Sequence, residues 1–223
     1  MLKIVVLGSG STANATYIEV DGRRWLIDCG FTKPATKKRL ATFGRTIEDI
    51  EGILVSHDHK DHTSPWIVRE NRVIRDLPGT PFTSFELSHD TPCLGFTAVD
   101  KAGNKVGIVS DTGCIPEEAV GHLFGCCVLL VETNNDIDLL AVGKYPTELL
   151  ERIASEKGHL RNECAAELVE MVACEKLQYI VCLHLSAANN HPDLVRFCIN
   201  SIGTGAEVII TDQKQPSRMV TIL

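Results

Sequence analysis

A chain of 223 residues, 44% of them hydrophobic and 23% charged, can bury one substantial core, and a single domain spanning 1–223 is expected. Its formal charge of −7 excludes a generally basic surface of the kind that coats nucleic acid, because phosphate contacts come from concentrated Lys and Arg. No apolar run approaches the roughly 20 residues needed to cross a bilayer, and Met1 to Leu7 leads into Gly8-Ser9-Gly10 without a signal-peptide cleavage pattern, which points to the cytoplasm.

The opening reads as β-structure: Lys3 to Leu7, a Gly-Ser-Gly-Ser turn, Thr16 to Val20, an Asp21-Gly22 turn, then Trp25 to Ile27. A dinucleotide loop at Gly8-Ser9-Gly10 is rejected because a strand, not a helix, follows the glycines. Pro34 starts a helix over about 34–43, and Gly52 to Val55 forms a short strand. Further strands are expected at Phe82 to Leu87, Leu94 to Val99 and Val106 to Val109, followed by a short helix after Pro116 and a buried strand at Cys126 to Val131. Pro146 to Ile153 should be a helix with Leu149, Leu150 and Ile153 inward. Asn162 reads as the N-cap of the longest helix, with Cys164, Leu168, Met171 and Val172 on its inner face. Tyr179 to Leu183 is a strand, Pro192 opens a last helix, and Val208 to Ile210 and Met219 to Ile222 close the chain in β. Two blocks of strands, each followed by helices, fit an α/β fold with two sheets inside and helices outside, a four-layer αββα sandwich.

Nine cysteines are scattered without a Cys-x-x-Cys pair, and most lie beside apolar residues, so they read as small buried hydrophobes of a reducing compartment. Two basic stretches, Lys33 to Arg45 (Lys33, Lys37, Lys38, Arg39, Arg45) and Arg69 to Arg75 (Arg69, Arg72, Arg75), read first as solvated faces.

The chemistry is concentrated in His57, His59, Asp61 and His62, four metal-binding side chains within six residues in a turn that leaves a strand. Imidazoles at i and i+2 can converge on one ion, while the carboxylate and the next imidazole turn to a second, and such ligands suit zinc and related divalent metals. A two-ion site needs more ligands from elsewhere. His89, Asp111 and His184 each follow the C-terminal end of an apolar strand, where their side chains would project onto one rim.

This order of motifs resembles the metallo-β-lactamase superfamily along the whole chain, and within it the bacterial YycJ (WalJ) group, similar also to RNase Z. The matching pieces are Leu7-Gly8-Ser9-Gly10-Ser11, Leu26-Ile27-Asp28-Cys29-Gly30, His57 to His62, Ser88-His89-Asp90, Asp111 in Ser-Asp-Thr-Gly, Gly143-Lys144-Tyr145-Pro146, Gly158-His159-Leu160-Arg161-Asn162, and His184-Leu185-Ser186 with Asn189-Asn190. The resemblance implies that His57, His59 and His89 hold one ion, that Asp61, His62 and His184 hold the other, and that Asp111 bridges them. A hydroxide between two such ions is a nucleophile for in-line displacement at phosphorus, so phosphodiester hydrolysis is the implied chemistry, with zinc first and manganese second as the metal. Asp28 is implied to orient the histidine cluster rather than to ligate. His159 is implied to protonate the leaving oxygen, or else it packs at the start of the following helix. Glu132 orients His159 or holds another outer partner, Asn189 and Asn190 shape the substrate edge or merely turn the chain, and His122 and His191 are structural.

The group's association with DNA ends implies a 5'-to-3' DNA exonuclease, with the two basic stretches as candidate backbone contacts. Two other functions stay open. Hydrolysis of a small phosphodiester or other ester suits the acidic charge, whereas a non-catalytic metal-binding regulatory module is disfavoured by the intact ligand set. Only residues 63 to 88 separate His62 from His89, a short stretch where a helix and a strand usually intervene, and no long insertion provides an arm or cap.

Overall fold

The structure, a computed structural model, describes residues 1–223. The chain divides into two compact units that alternate along the sequence: Met1–Thr83, Ala98–Asn104 and Thr211–Leu223 form the first, Ser84–Thr97 and Lys105–Ile210 the second.

The first unit is built on strands β1 (Leu2–Gly8), β2 (Ala15–Val20), β3 (Arg23–Ile27) and β4 (Gly52–Leu54), with the C-terminal β11 (Val220–Ile222) on the outer side of β1, in the order β11-β1-β2-β3-β4. The tight Asp21-Gly22 turn makes β2 and β3 antiparallel, pairing Ile18 with Trp25, whereas β4 returns parallel to β3 after the helical connection. That connection contains α1 (Lys33–Ala41), where the Thr32 side chain accepts from the Ala35 amide and Pro34 fills the first turn, as its fixed φ allows. Val5, Leu7, Tyr17, Leu26, Phe31, Leu40, Ile47, Ile53 and Ile67 form one buried cluster. Inside β2, Glu19 is 2% exposed. It is surrounded by donors: Tyr17 Oη at 2.6 Å, Lys3 Nζ at 3.0 Å, Arg45 Nη2 at 3.1 Å and Arg24 Nε at 3.2 Å. The short segment between His62 and His89 still holds a helix and a strand, the five-residue α2 (Pro65–Arg69) and β5 (Phe82–Leu87), the latter with the bounds expected.

The second unit is organised by a six-stranded sheet in the order β10-β9-β8-β7-β6-β5, with β6 at Cys93–Val99, β7 at Lys105–Val109, β8 at Val128–Glu132, β9 at Tyr179–Leu183 and β10 at Glu207–Ile210. From β7 to β10 the strands are parallel. Parallel strands covered on both faces read as continuous apolar runs, and all five residues of β8 are buried. Helices α3 (Glu117–Leu123), α4 (Ile137–Ala141), α5 (Thr147–Ala154), α6 (Asn162–Val172) and α7 (Pro192–Asn200) supply the connections. The core joins Leu123, Leu129, Val131, Leu168, Val169, Ile180 and Val195.

Several local expectations are corrected. Arg161, not Asn162, is the N-cap of α6; Asn162 begins the helix, and its amide exchanges hydrogen bonds of 2.9 and 3.0 Å with Asn190. The buried face of α6 runs through Ala165, Ala166, Leu168, Val169 and Val172, so Met171 is 54% exposed and Cys164 only half-buried. In α5 the expected face is the one found, with Leu149, Leu150 and Ile153 its least exposed residues, but they are half-buried and none is in the core. Helix α4 is too short to show a period in the sequence; Asp136 caps it by accepting from the amides of Asp138 (3.1 Å) and Leu139 (3.0 Å).

Half of the basic residues proposed as backbone contacts are committed elsewhere. Arg39 donates to the carbonyls of Leu7 and Gln213, Arg45 to Tyr17 and Glu19, and Arg72 to the Ile47 carbonyl, while Lys33 pairs with Glu70. Lys37, Lys38, Arg69 and Arg75 are exposed.

Candidate metal centre

In the first unit, the turn from His57 to Thr63 winds around the His59 carbonyl, which accepts from the amides of His62 (3.0 Å) and Thr63 (2.9 Å). Backbone bonds to two neighbouring loops hold this turn in place. The Asn14 amide donates to the Asp61 carbonyl at 2.7 Å, and the Cys29 amide to the His62 carbonyl at 2.8 Å. Gly30 is required here, since a Cβ at this position would lie 1.9 Å from the Asp61 carbonyl oxygen. The result brings all four expected ligands of this unit together: the His57 ring lies 4.6 Å from that of His59 and 4.2 Å from that of His62, and Asp61 Oδ2 is 3.3 Å from His62 Nε2.

Asp28 takes the orienting position expected of it. Its Oδ2 accepts from His62 Nδ1 at 2.8 Å, and its Oδ1 accepts from the amide of Ser56 at 2.7 Å and its hydroxyl at 3.0 Å. The same hydroxyl lies 2.9 Å from His57 Nδ1. An imidazole fixed through Nδ1 presents Nε2 as the ligand atom, which is how outer partners choose the tautomer of a metal-binding histidine. Asn14 was not anticipated. Its Nδ2 lies 2.9 Å from His62 Nε2 and 3.2 Å from Asp61 Oδ2, with the side-chain carbonyl held by Ser9 Oγ and the Gly10 amide. Nothing in its sequence context distinguishes it from an ordinary turn residue; the β1–β2 loop brings it to the cluster.

In the second unit the parallel register does the positioning. Val109 pairs with Val131 and Glu132 with Leu183, so Asp111, Glu132 and His184 emerge at the same end of three adjacent strands. His159 arrives from the loop between α5 and α6. The ligating atoms of Asp111, Glu132, His159 and His184 all lie within 4.8 Å of one another. Glu132 is fully buried and serves both roles considered for it: Oε1 accepts from His159 Nδ1 at 2.8 Å and from His184 Nδ1 at 2.9 Å, while Oε2 accepts from the amides of Thr112 (3.0 Å) and Leu160 (3.2 Å). His89 stands beside this group, its ring 5.5 Å from that of His159, and donates through Nδ1 to the Gly158 carbonyl at 3.2 Å.

Burial pulls the His89 pKa below its ordinary value. Burial acts in the same direction on His159, but the Glu132 charge outweighs it and the pKa ends up raised. Burial works against the Glu132 carboxylate, yet the two histidines hold its pKa at about 2. Asp111, only 1% exposed, accepts from Ser110 Oγ at 2.6 Å. Three residues of these groups, Asp28, Asp111 and His184, have left-handed backbones with φ of 58°, 59° and 56°, each just past the end of a strand.

His122 and His191 stand apart from these groups, as expected. His122 stacks on Phe85 and pairs with Glu118, and His191 caps α7 by accepting from the Asp193 amide. Asn190 donates to the Thr133 carbonyl and joins Asn162, while the Asn189 carbonyl accepts from the Asp136 amide.

The donor sets fit divalent cations, combining imidazoles of fixed tautomer with buried carboxylates. Replacing Glu132 by Gln should weaken metal binding about 10- to 100-fold, the usual effect of losing an outer partner, because one carboxylate fixes two imidazoles. Metal titration of the purified variant checks this, and unchanged affinity would assign Glu132 a purely structural role.

A family model described as "Anti-Pycsar protein Apyc1" matches residues 2–65. The chain is 27% identical to the exodeoxyribonuclease YycJ of Bacillus anthracis, with 98% of each chain covered. It is 28% identical to the exodeoxyribonuclease WalJ of Streptococcus pneumoniae, over 86% of this chain and 84% of that one. Among solved structures, the metallo-β-lactamase fold protein YhfI from Bacillus subtilis superposes with a TM-score of 0.72 at 15% identity, covering 97% of this chain and 98% of that one. The α/β fold expected from the motif order is thus the one found: the chain has the metallo-β-lactamase fold and is similar along its length to the YycJ/WalJ exodeoxyribonucleases.

Proposed function

We propose that this protein is a dinuclear metal-dependent phosphodiesterase of the cytoplasm that degrades DNA from its ends in the 5'-to-3' direction. The observation that carries the reading is the group of buried Asp111, Glu132 and His184 with half-buried His159, two carboxylates and two imidazoles in mutual reach at one end of a parallel sheet. The exodeoxyribonuclease names of the relatives favour DNA as the substrate. His57, His59 and His89 would hold one ion and Asp61, His62 and His184 the other, with Asp111 available to both. Two such cations, zinc or manganese, supply Lewis acidity and lower the pKa of water.

The protein's own groups do the rest. Asp28 and Ser56 aim the imidazoles of the first unit, and Glu132 aims that of His184. His159, whose Nδ1 is fixed on Glu132, holds a proton for the departing oxygen. Exposed Lys37, Lys38, Arg69 and Arg75 remain available for phosphates of the strand. The nine cysteines, buried or half-buried as thiols, suit a reducing compartment.

Purified protein loaded with zinc or manganese should degrade end-labelled linear DNA. Activity confined to bis(p-nitrophenyl) phosphate would redirect the assignment to a small phosphodiester. The His159→Ala variant should keep its metal content and lose about 10²- to 10⁴-fold in turnover, the usual contribution of a positioned acid. Loss of metal in that variant would make His159 a ligand instead.

A further inference from the structure

Beside His159 lies a cavity of about 420 Å³, within the range that accepts a small organic ligand. Its walls come from the segment after β7, the loop before His159 and one face of α6. Gly113 lets two of these walls meet, since a Cβ there would lie 2.2 Å from the Ser155 carbonyl oxygen. Ile115 and Met171 give the cavity apolar sides, Arg161 contributes a guanidinium, and Glu156 and Glu167 place carboxylates along it. Met171 is 54% exposed, although it sits on a helix whose other long apolar side chains are buried.

We infer that this cavity binds the nucleobase of the departing nucleotide, the one whose oxygen leaves when the phosphodiester is cleaved. The inference rests on the proposed nuclease activity and on His159 as the proton donor. Hydrolysis adds water across one phosphorus–oxygen bond: the fragment keeping the phosphate gains the water oxygen, and the other departs with a hydroxyl. A group that protonates the departing oxygen must stand on the departing side, and His159 forms part of this cavity's wall. Charge then selects which part of that nucleotide enters. Two carboxylates against one guanidinium disfavour a second phosphate, whereas a base is neutral and offers both amino donors to Glu156 or Glu167 and ring acceptors to Arg161. Ile115 and Met171 cover the base faces, as apolar side chains do around a base taken out of its stack.

The test uses the metal-loaded protein and oligodeoxynucleotides carrying an abasic sugar on one side or the other of the first scissile bond. Loss of the departing base should lower kcat/KM about tenfold or more, in keeping with what contact to one base contributes, and loss of the base on the phosphate-retaining side should lower it less. In a Met171→Trp variant, with folding and metal content verified, the added ring fills the cavity, and intact and abasic substrates should be cleaved at rates within about twofold of one another. Cleavage of intact DNA with equal kcat/KM for all substrates overturns the base pocket while leaving the nuclease reading in place. A penalty confined to the phosphate-retaining side overturns it as well, as does persistent discrimination in Met171→Trp. No cleavage of any DNA, with bis(p-nitrophenyl) phosphate still hydrolysed, overturns the nuclease reading and with it this pocket's assignment.

Discussion

The Asp111→Asn variant should lose metal and turnover together while remaining folded. Asp111 is buried, its backbone is left-handed, and its carboxylate stands 3.4 Å from His184 Nδ1 and 3.5 Å from His159 Nδ1. Asparagine preserves the shape and tolerates that backbone, so the change removes chiefly the negative charge. If Asp111 is shared by two cations, bound metal should fall from two per chain, and hydrolysis should fall by roughly 10³-fold or more, beyond the 10- to 100-fold typical of outer partners. Metal-free protein should respond in the opposite sense, or not at all. Without cations Asp111 is crowded by Glu132, so neutralising it relieves repulsion between buried carboxylates. Metal present at about 100 times its dissociation constant stabilises the native state by roughly 2.7 kcal/mol per ion. The wild type should therefore gain about 5–10 °C per ion in Tm on loading, and the variant much less. Full metal content and full turnover in Asp111→Asn would refute the bridging role.

Glu19→Gln should be strongly destabilising, although the residue lies outside the metal centre. Burial alone would push the Glu19 pKa up, but hydrogen bonds from Tyr17, Lys3 and Arg45 outweigh it and hold the carboxyl at about 2, against an ordinary value of 4.5. A difference of this size corresponds to about 3 kcal/mol of stability, or roughly 6–12 °C in Tm for a chain of this length. The pH dependence follows from the sign of the shift. The folded-state pKa is depressed, so this contribution is fully present above about pH 4.5 and is lost as pH falls towards 2. Wild type and Glu19→Gln should accordingly differ most near neutrality and converge in acid, which thermal melts at several pH values would measure. A constant difference across that range would mean that Glu19 acts through packing rather than charge.

The sequence made the strands and the ligand cluster legible for different reasons. Apolar runs such as Val128 to Val131 and the Asp21-Gly22 turn are local signals, and four metal-binding side chains from His57 to His62 have few other uses. Glu132, His159 and His184 could each be singled out, but their grouping depends on the register of β8 against β9, which no local pattern encodes. Met171 shows the limit of periodicity: apolar spacing placed it inward, whereas the small Ala165 and Ala166 form the packed face, and the methionine lies at a cavity. The basic stretches misled in another way, because an arginine serving a buried carbonyl, as Arg39 does for Leu7, looks in sequence like one awaiting a phosphate. Asn162 has the composition of a cap and instead pairs with Asn190, a partner 28 positions away.

The left-handed backbone at Asp28, Asp111 and His184 narrows the repertoire from which those positions can be filled. Apart from glycine, aspartate, asparagine and histidine are the types that occupy that conformation most readily. Glutamate and cysteine could also coordinate a cation, but they would have to bear the steric penalty. Chain geometry and coordination chemistry therefore impose overlapping demands, and exchanging aspartate for glutamate at position 111 changes more than the reach of a carboxylate.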